Sequence, residues 1–238
     1  MPRIFIDSLP VGDELSVGGK EASYLIKVLR VRVGDEVTLI GEGGRSWLSE
    51  IESIKGREIK FSIKKEIEPL KEPSIKIHLL QGILKAQKMD LVVQKAVELG
   101  VSSIVPVITE RTIVTETKKK KRWQDIALEA TRQCGRTIIP VVEEPIRLRD
   151  FFLKRCPISG IVFWEEGGLP LKDALRAISP KEDIYILIGP EGGLGKEEVE
   201  GASRCGLKTA TLGRRLLRAE TASISALTIV QFFLGDMG

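Results

Sequence analysis

The sequence predicts an α/β protein: a largely parallel sheet covered by helices, preceded by a small all-β region. Three observations carry that expectation. Beyond residue 71, short apolar runs alternate with stretches whose apolar residues recur at helical spacing. The run at residues 184–188 is apolar without alternation, as a strand buried on both faces requires. Before residue 70, short alternating runs are separated by Gly, Asp and Lys turns.

In the N-terminal part the alternating runs fall at residues 3–6, 36–40, 47–54 and 58–63, with turns at 41–44 and 55–56. Short strands at this spacing predict a small barrel. One helix interrupts them, residues 21–31, with Ala22, Leu25, Ile26 and Leu29 on one face. The acidic stretch 66–73 contains Pro69 and Pro73 and reads as a linker, dividing the chain into domains 1–70 and 71–238. In the second, a strand at 75–80 leads to a helix at 87–99, where Met89, Val92, Val93, Ala96 and Val97 share a face and Gly100 supplies the stop. Further strands are expected at 103–107, 160–164, 184–188 and 209–212. Helices are expected at 123–134, 171–178, 196–205 and 223–233.

Composition sets outer limits. Apolar residues are 42% and charged residues 29%, ordinary for a globular protein. No run reaches the roughly 18 apolar residues of a membrane helix, and the N-terminus lacks a signal-peptide core, so a cytoplasmic protein is expected, without membrane contact. Cys134, Cys156 and Cys205 are odd in number and far apart, which predicts small buried hydrophobes rather than disulfides. A single histidine, His78, leaves no metal cluster to expect. The net charge of +4 is concentrated: residues 111–136 hold eight basic side chains against Glu116, Asp125 and Glu129. Such a segment, with Lys118 to Lys121 at its centre, suits phosphate contact or, equally, a solvated loop.

Ligands of parallel sheets sit beyond the carboxyl ends of the strands. Two loops there have unusual composition. Gly189-Pro190-Glu191-Gly192-Gly193-Leu194-Gly195 follows the most buried strand; its glycines would let backbone groups approach a ligand, or form a tight turn with none. It is neither a Walker loop nor a dinucleotide G-x-G-x-x-G. Leu212-Gly213-Arg214-Arg215-Leu216-Leu217-Arg218-Ala219-Glu220-Thr221-Ala222 places leucines between basic residues where a helix begins. Glu220 and Thr221 also stand where residues cap a helix N-terminus.

Together these two loops resemble the RsmE family, ribosomal RNA small-subunit uridine N3-methyltransferases of the SPOUT superfamily. Further matches are Pro2-Arg3-Ile4-Phe5, Val28-Leu29-Arg30 with Gly34-Asp35, Lys95-Ala96-Val97-Glu98-Leu99-Gly100 with Thr109-Glu110-Arg111, and Gln133-Cys134-Gly135-Arg136 near Pro140. Coverage is nearly end to end. Tyr24 occupies the neighbourhood of the family's usual histidine, and Thr112 follows Thr-Glu-Arg where the family often has a small or polar residue.

The resemblance implies a PUA-like barrel, a SPOUT domain with a deep trefoil knot, and a homodimer acting on 16S ribosomal RNA or the small subunit. It also implies S-adenosylmethionine held by Ile188, Gly189, Gly192, Gly193, Leu212, Gly213, Leu216, Leu217, Arg218, Thr221 and Ala222, with Leu80, Gln81 and Gly82 as a third wall. Uracil N3 must lose a proton before it attacks a methyl group. Arg218 is the first candidate to stabilise the resulting anion, Arg136 the second, and Glu220 a candidate proton acceptor. RNA contacts are expected from Arg3, Phe5, Arg30, Gln81, Arg111, Arg132, Gln133 and Arg136. Two other readings remain at this point: a SPOUT methyltransferase with another RNA acceptor, and a non-catalytic RNA-binding protein. A hydrolase is disfavoured by the lack of G-x-S-x-G.

Overall fold

Apolar side chains on alternate residues bury one face of an N-terminal sheet. The computed structural model describes residues 1–10, 12–113 and 119–238. It divides into one unit of Met1–Glu72 with Thr131–Ile139, and a second of Pro73–Ala130 with Pro140–Gly238. The first unit contains β1 (Arg3–Phe5), β2 (Glu14–Val17), α1 (Gly19–Tyr24), β3 (Glu36–Ile40), β4 (Ser46–Lys55) and β5 (Glu58–Ile67). They form a five-stranded sheet of order β1-β3-β4-β5-β2, with only the β1–β3 pair parallel. Ile4, Leu25, Leu39, Ile51, Ile59 and Phe61 are fully buried in its core.

Two elements differ from expectation. The helix expected at 21–31 is α-helical only to Tyr24; a π-helical segment, Leu25–Leu29, follows and ends at Arg30 in the left-handed region (φ 54°). β2 escaped the sequence reading because Glu14-Leu15-Ser16-Val17 is too short to show a period. Residues 131–139 join this unit through ion pairs. The Arg132 guanidinium pairs with Glu21 and lies 4.4 Å above the Tyr24 ring. The Glu72 carboxylate accepts from Arg136 Nε (2.8 Å) and from the backbone N–H groups of Thr137 and Ile138 (3.1 Å each).

The second unit contains β6 (Ile77–Gly82), α2 (Lys88–Glu98), β7 (Ser103–Ile108), α3 (Lys120–Cys134, its last turn counted with the first unit), β8 (Val141–Val142), β9 (Ile146–Arg147), α4 (Leu148–Arg155) and β10 (Ser159–Phe163). β11 (Leu169–Pro170), α5 (Leu171–Arg176), β12 (Ile184–Ile188), α6 (Lys196–Arg204), β13 (Leu207–Thr211) and α7 (Ala219–Leu234) complete it. All pairings are parallel, in the order β11-β13-β10-β12-β6-β7-β8, with β9 also on β7. Leu80, Val162 and Leu187 face a core completed by Leu148 and Phe151 of α4 and Val199 and Ala202 of α6. Strand periodicity then turns Ile184, Ile186 and Ile188 to the opposite face, where α7 packs on β12 and on α2. Each such buried aliphatic side chain contributes about 1.5–3 kcal/mol. Gln231 of α7 donates to the Leu99 carbonyl (2.9 Å) and so ties α7 to the end of α2. α4 went unread because eight residues offer too little periodicity.

One expectation is corrected: Cys156 and Cys205 are disulfide-bonded, and Cys134 is free. The ends of α4 and α6 meet, with the Ile158 N–H donating to the Cys205 carbonyl (2.9 Å), which brings two cysteines 49 residues apart to a Cα separation of 5.1 Å. Among the described residues, no helix is long and apolar enough to cross a membrane.

His78 sits on β6 with Nδ1 2.7 Å from Ser103 Oγ, Nε2 3.3 Å from the Asp183 carboxylate, and its ring stacked on Tyr185. Burial holds its pKa below the ordinary histidine value, outweighing the opposing pull of Asp183 and Glu143; Lys76 acts with burial. The unfolded chain therefore binds the proton first as pH falls, and the stability contributed by neutral His78 is lost below the unfolded value of about 6.5. Urea midpoints should fall between pH 8 and pH 5 in the wild type, and fall less in His78→Gln. Equal slopes in both proteins would contradict this assignment.

Candidate functional site

Parallel strands end on one side of a sheet, so the loops leaving their carboxyl ends meet there. β12, β10 and β13 are neighbours, and the residues just past each line one cavity of about 410 Å³. Phe163, Trp164 and Glu165 come from the end of β10, Ile188, Gly189 and Gly193 from β12, and Leu212, Gly213 and Leu217 from β13. Arg218, Ala219 and Ala222 at the start of α7, with Lys88 at the start of α2, close the rim. The volume suits a small organic ligand, for which roughly 300–1,000 Å³ is usual.

The turn after β12 is held from three directions. Inside it, the Gly193 N–H donates to the Pro190 carbonyl (2.9 Å), with Gly193 at φ 73°. Behind it, the end of β6 comes so close that a Cβ on Gly82 would lie 2.5 Å from Pro190 N. Beside it, Arg111 Nη1 donates to the Gly192 carbonyl (3.0 Å), and the Glu198 carboxylate accepts from both the Gly195 and Glu110 N–H groups (2.9 Å each). Glu198 stands at the third position of α6, where a capping glutamate belongs. The loop after β13 turns at Gly213 (φ 101°), where the Thr211 hydroxyl donates to the Gly213 carbonyl (3.0 Å).

The charged groups are unevenly matched. Lys88 Nζ lies 3.5 Å from Glu191 Oε1 and 3.8 Å from Glu220 Oε2. Burial pushes the Glu191 carboxyl up, but its own N–H, the Lys85 N–H (3.1 Å) and the Lys88 charge outweigh this and leave its pKa below the ordinary value. Glu220 Oε2 is buried and, among the described residues, has no hydrogen-bond partner. The guanidinium groups of Arg214, Arg215 and Arg218 stand exposed at the rim.

Residues 71–231 match the RNA methyltransferase domain family, and residues 17–64 match the RNA methyltransferase PUA domain. Ribosomal RNA small subunit methyltransferase E of Buchnera aphidicola (from Acyrthosiphon pisum) is 32% identical, across 99% of this chain and 95% of its own. The Bacillus subtilis enzyme of the same name is 28% identical across 98% and 96%. The chain belongs to the ribosomal RNA small subunit methyltransferase E family. Its fold agrees with that of the Neisseria gonorrhoeae family member solved bound to S-adenosyl methionine (TM-score 0.91, 32% identity, 100% of both chains). It agrees also with a Legionella pneumophila protein solved with the cofactor SAM bound (TM-score 0.88, 32% identity, 98% of both chains). The parallel-sheet unit is the α/β SPOUT domain of this family, and the N-terminal sheet carries its PUA domain.

Of the residues that the family resemblance singles out for the cofactor, Ile188, Gly189, Gly193, Leu212, Gly213, Leu216, Leu217, Arg218 and Ala222 line the cavity. Leu80, Gln81, Gly82, Gly192 and Thr221 are placed elsewhere. Leu80 is packed in the core beneath. Gln81 is fully buried, its oxygen accepting from Ser223 and its nitrogen donating to the Gly82 carbonyl. Gly82 backs the turn, Gly192 carries Arg111, and Thr221 is exposed on the first turn of α7. The end of β10 also lines the cavity.

Among the expected catalytic groups, Arg218 lines the cavity and Glu220 faces Lys88, while Arg136 belongs to the first unit and is buried against Glu72. Arg3, Phe5, Arg30, Arg132 and Gln133 also belong to the first unit; Arg30 and Gln133 are exposed there, and a Cβ on Gly135 would overlap the Arg3 guanidinium. In the basic segment, Lys120 pairs with Glu144 (3.1 Å) and Arg122 with Asp90 (2.7 Å), while Lys118 and Glu116 lie outside the described residues. Lys88, Trp164, Glu165, Arg214 and Arg215 were not anticipated. A charge spacing of Lys88 to the glycine turn has no sequence signal, whereas Arg214 and Arg215 could have been read from the second loop itself.

The approach of Gly82 to Pro190 gives a direct test. Gly82→Ala inserts a methyl group against backbone that cannot swing away and should lower unfolding free energy by about 1–3 kcal/mol. Gly18→Ala, with nothing nearer than 3.9 Å and no positive φ, should stay within about 0.5 kcal/mol of wild type. Urea denaturation of the two variants checks both values.

Proposed function

We propose that this chain is an S-adenosylmethionine-dependent methyltransferase that acts on N3 of a uridine in 16S ribosomal RNA of the small subunit. The observation that carries the reading is the single cavity enclosed by the glycine turn after β12 and the leucine loop after β13, in a fold shared with a family member solved with that donor. The residues present fit the molecule. Ile188, Leu212 and Leu217 offer apolar surface to the adenine, and the peptide groups at Gly189, Gly193 and Gly213 stand without side chains in the way. When bound, the donor supplies an electrophilic methyl on a sulfonium.

The chain's own groups do the rest. Holding the uridine edge in line is worth up to roughly 7–11 kcal/mol of barrier. Arg218 places a fixed positive charge at the rim, where negative charge develops on the uracil carbonyl oxygens as N3 loses its proton. Glu220, whose buried Oε2 lies 3.8 Å from Lys88 Nζ at the edge of the cavity, accepts that proton. The commitment of Arg136 to Glu72 favours Arg218 over it for the first role. In this reading Leu80, Gln81 and Gly82 at the end of β6, with Gly192 and Thr221, complete the donor site.

In the same reading, residues 1–70 form the RNA-binding domain, with Arg3, Phe5 and Arg30 as its contacts, and 71–238 the catalytic domain, to which the exposed Gln133 adds a further contact. The exposed Ile229, Phe232 and Phe233 on α7 support a homodimer. A trefoil knot formed by the loops around β12 and β13 belongs to this proposal, as does residence in the cytoplasm with the ribosomal subunits.

Labelled methyl transfer to unmodified small-subunit RNA, followed by nucleoside analysis, should yield 3-methyluridine; a ribose-methylated product would replace the acceptor. Arg218 makes no side-chain cap hydrogen bond to α7, so Arg218→Ala should keep the wild-type unfolding midpoint. Its rate should fall by about 10²–10³, the usual effect of removing one donor to a developing oxyanion. Wild-type turnover would remove Arg218 from the mechanism.

A further inference from the structure

We propose that Arg214 and Arg215 bind backbone phosphates of the RNA strand beside the target nucleotide. This rests on the reading that the acceptor is RNA, and it names the cations that grip it at the cavity. The expected footprint was the basic segment 111–136, but its described arginines are engaged within the protein. Arg111 donates to the Gly192 carbonyl, Arg122 pairs with Asp90, Arg132 with Glu21 and Arg136 with Glu72. A paired guanidinium must give up its carboxylate before it takes a phosphate.

Arg214 and Arg215 carry no such obligation. Both are exposed, and among the described residues no ion pair or hydrogen bond engages either side chain. They line the same cavity as Gly189 and Leu217, so a nucleotide that presents its base there brings its neighbouring phosphates past them. The segment is anchored at both ends, by the Thr211–Gly213 turn before it and by the first turn of α7 after it, where the Ala222 N–H donates to the Arg218 carbonyl (2.8 Å). Leu216 stands out to solvent at 82% exposure, which marks the segment as a projecting lip rather than part of the core. Phosphate contacts of this kind fix register without reading sequence, which suits cations next to, rather than on, the reacting base.

The test is RNA binding as a function of salt in Arg214→Gln/Arg215→Gln. Each lost phosphate contact on a single strand reduces the log–log salt slope by about 0.7, so the double variant should flatten it by about 1.4. At about 150 mM salt its affinity for RNA should fall at least about tenfold, while its affinity for S-adenosylmethionine stays within about twofold of wild type. Arg214→Lys/Arg215→Lys should restore most of the slope, since lysine keeps the point charge. An unchanged slope overturns the proposal. So does a loss of donor affinity with the RNA slope intact, which would assign the arginines to the donor's carboxylate. Failure of the enzymatic reading looks different: wild-type protein would bind RNA with the full salt slope and transfer no methyl group.

Discussion

β12 lies between β6 and β10, and the cavity takes its place from that insertion. The strand enters the sheet after β10 yet pairs on its other side with the first strand of the unit. Its apolar residues are buried on both faces, which makes withdrawal costly and fixes the register Ile186 to Ile161 and Leu79. With the register set, the turn after Ile188 can stand only where it does. The missing side chain of Gly82 lets β6 press on that turn, and Glu198 and Arg111 hold its other side. β13, on the far side of β10, then delivers its leucine loop opposite.

Electrostatics divides the arginines into two populations. Those in the 111–136 segment mostly complete the protein: Arg132 and Arg136 are nearly buried and anchor residues 131–139 in the first unit through Glu21 and Glu72. Removing either carboxylate strips a nearly buried guanidinium of an acidic partner, which is more damaging than losing an exposed pair. The rim arginines are solvated and, among the described residues, take no ion pair, so they contribute little to stability and remain available for anionic ligands. Lys88, between Glu191 and Glu220, belongs to neither group; it balances carboxylates at the edge of the cavity.

Much of this was legible in the residues. Ile184–Ile188 announced a doubly buried strand, and the helical spacing of Met89, Val92, Val93, Ala96 and Val97 placed α2 with its buried face. Composition and position singled out the glycine turn and the leucine loop, the family resemblance made them candidates for the donor, and both line the cavity. What was illegible was adjacency. Parallel strands pair across long connections, so nothing local to residues 160–165 says that β10 neighbours both β12 and β13 and that Trp164 and Glu165 therefore line the cavity. The same gap hid the partner of Gln81, which leaves the carboxyl end of a strand and accepts there from the Ser223 hydroxyl of α7. The Cys156–Cys205 bond was hidden for an equivalent reason, since spacing cannot show that two helix ends converge.

The central claim is that one methyl donor is enclosed where the ends of β10, β12 and β13 converge. A crystal structure determined with S-adenosylmethionine present tests it most directly. The account predicts density for the donor against Gly189, Gly193, Leu212 and Leu217, with its methyl open toward Arg218. Density for the donor elsewhere, or those turns closed on each other with no room between them, would contradict it.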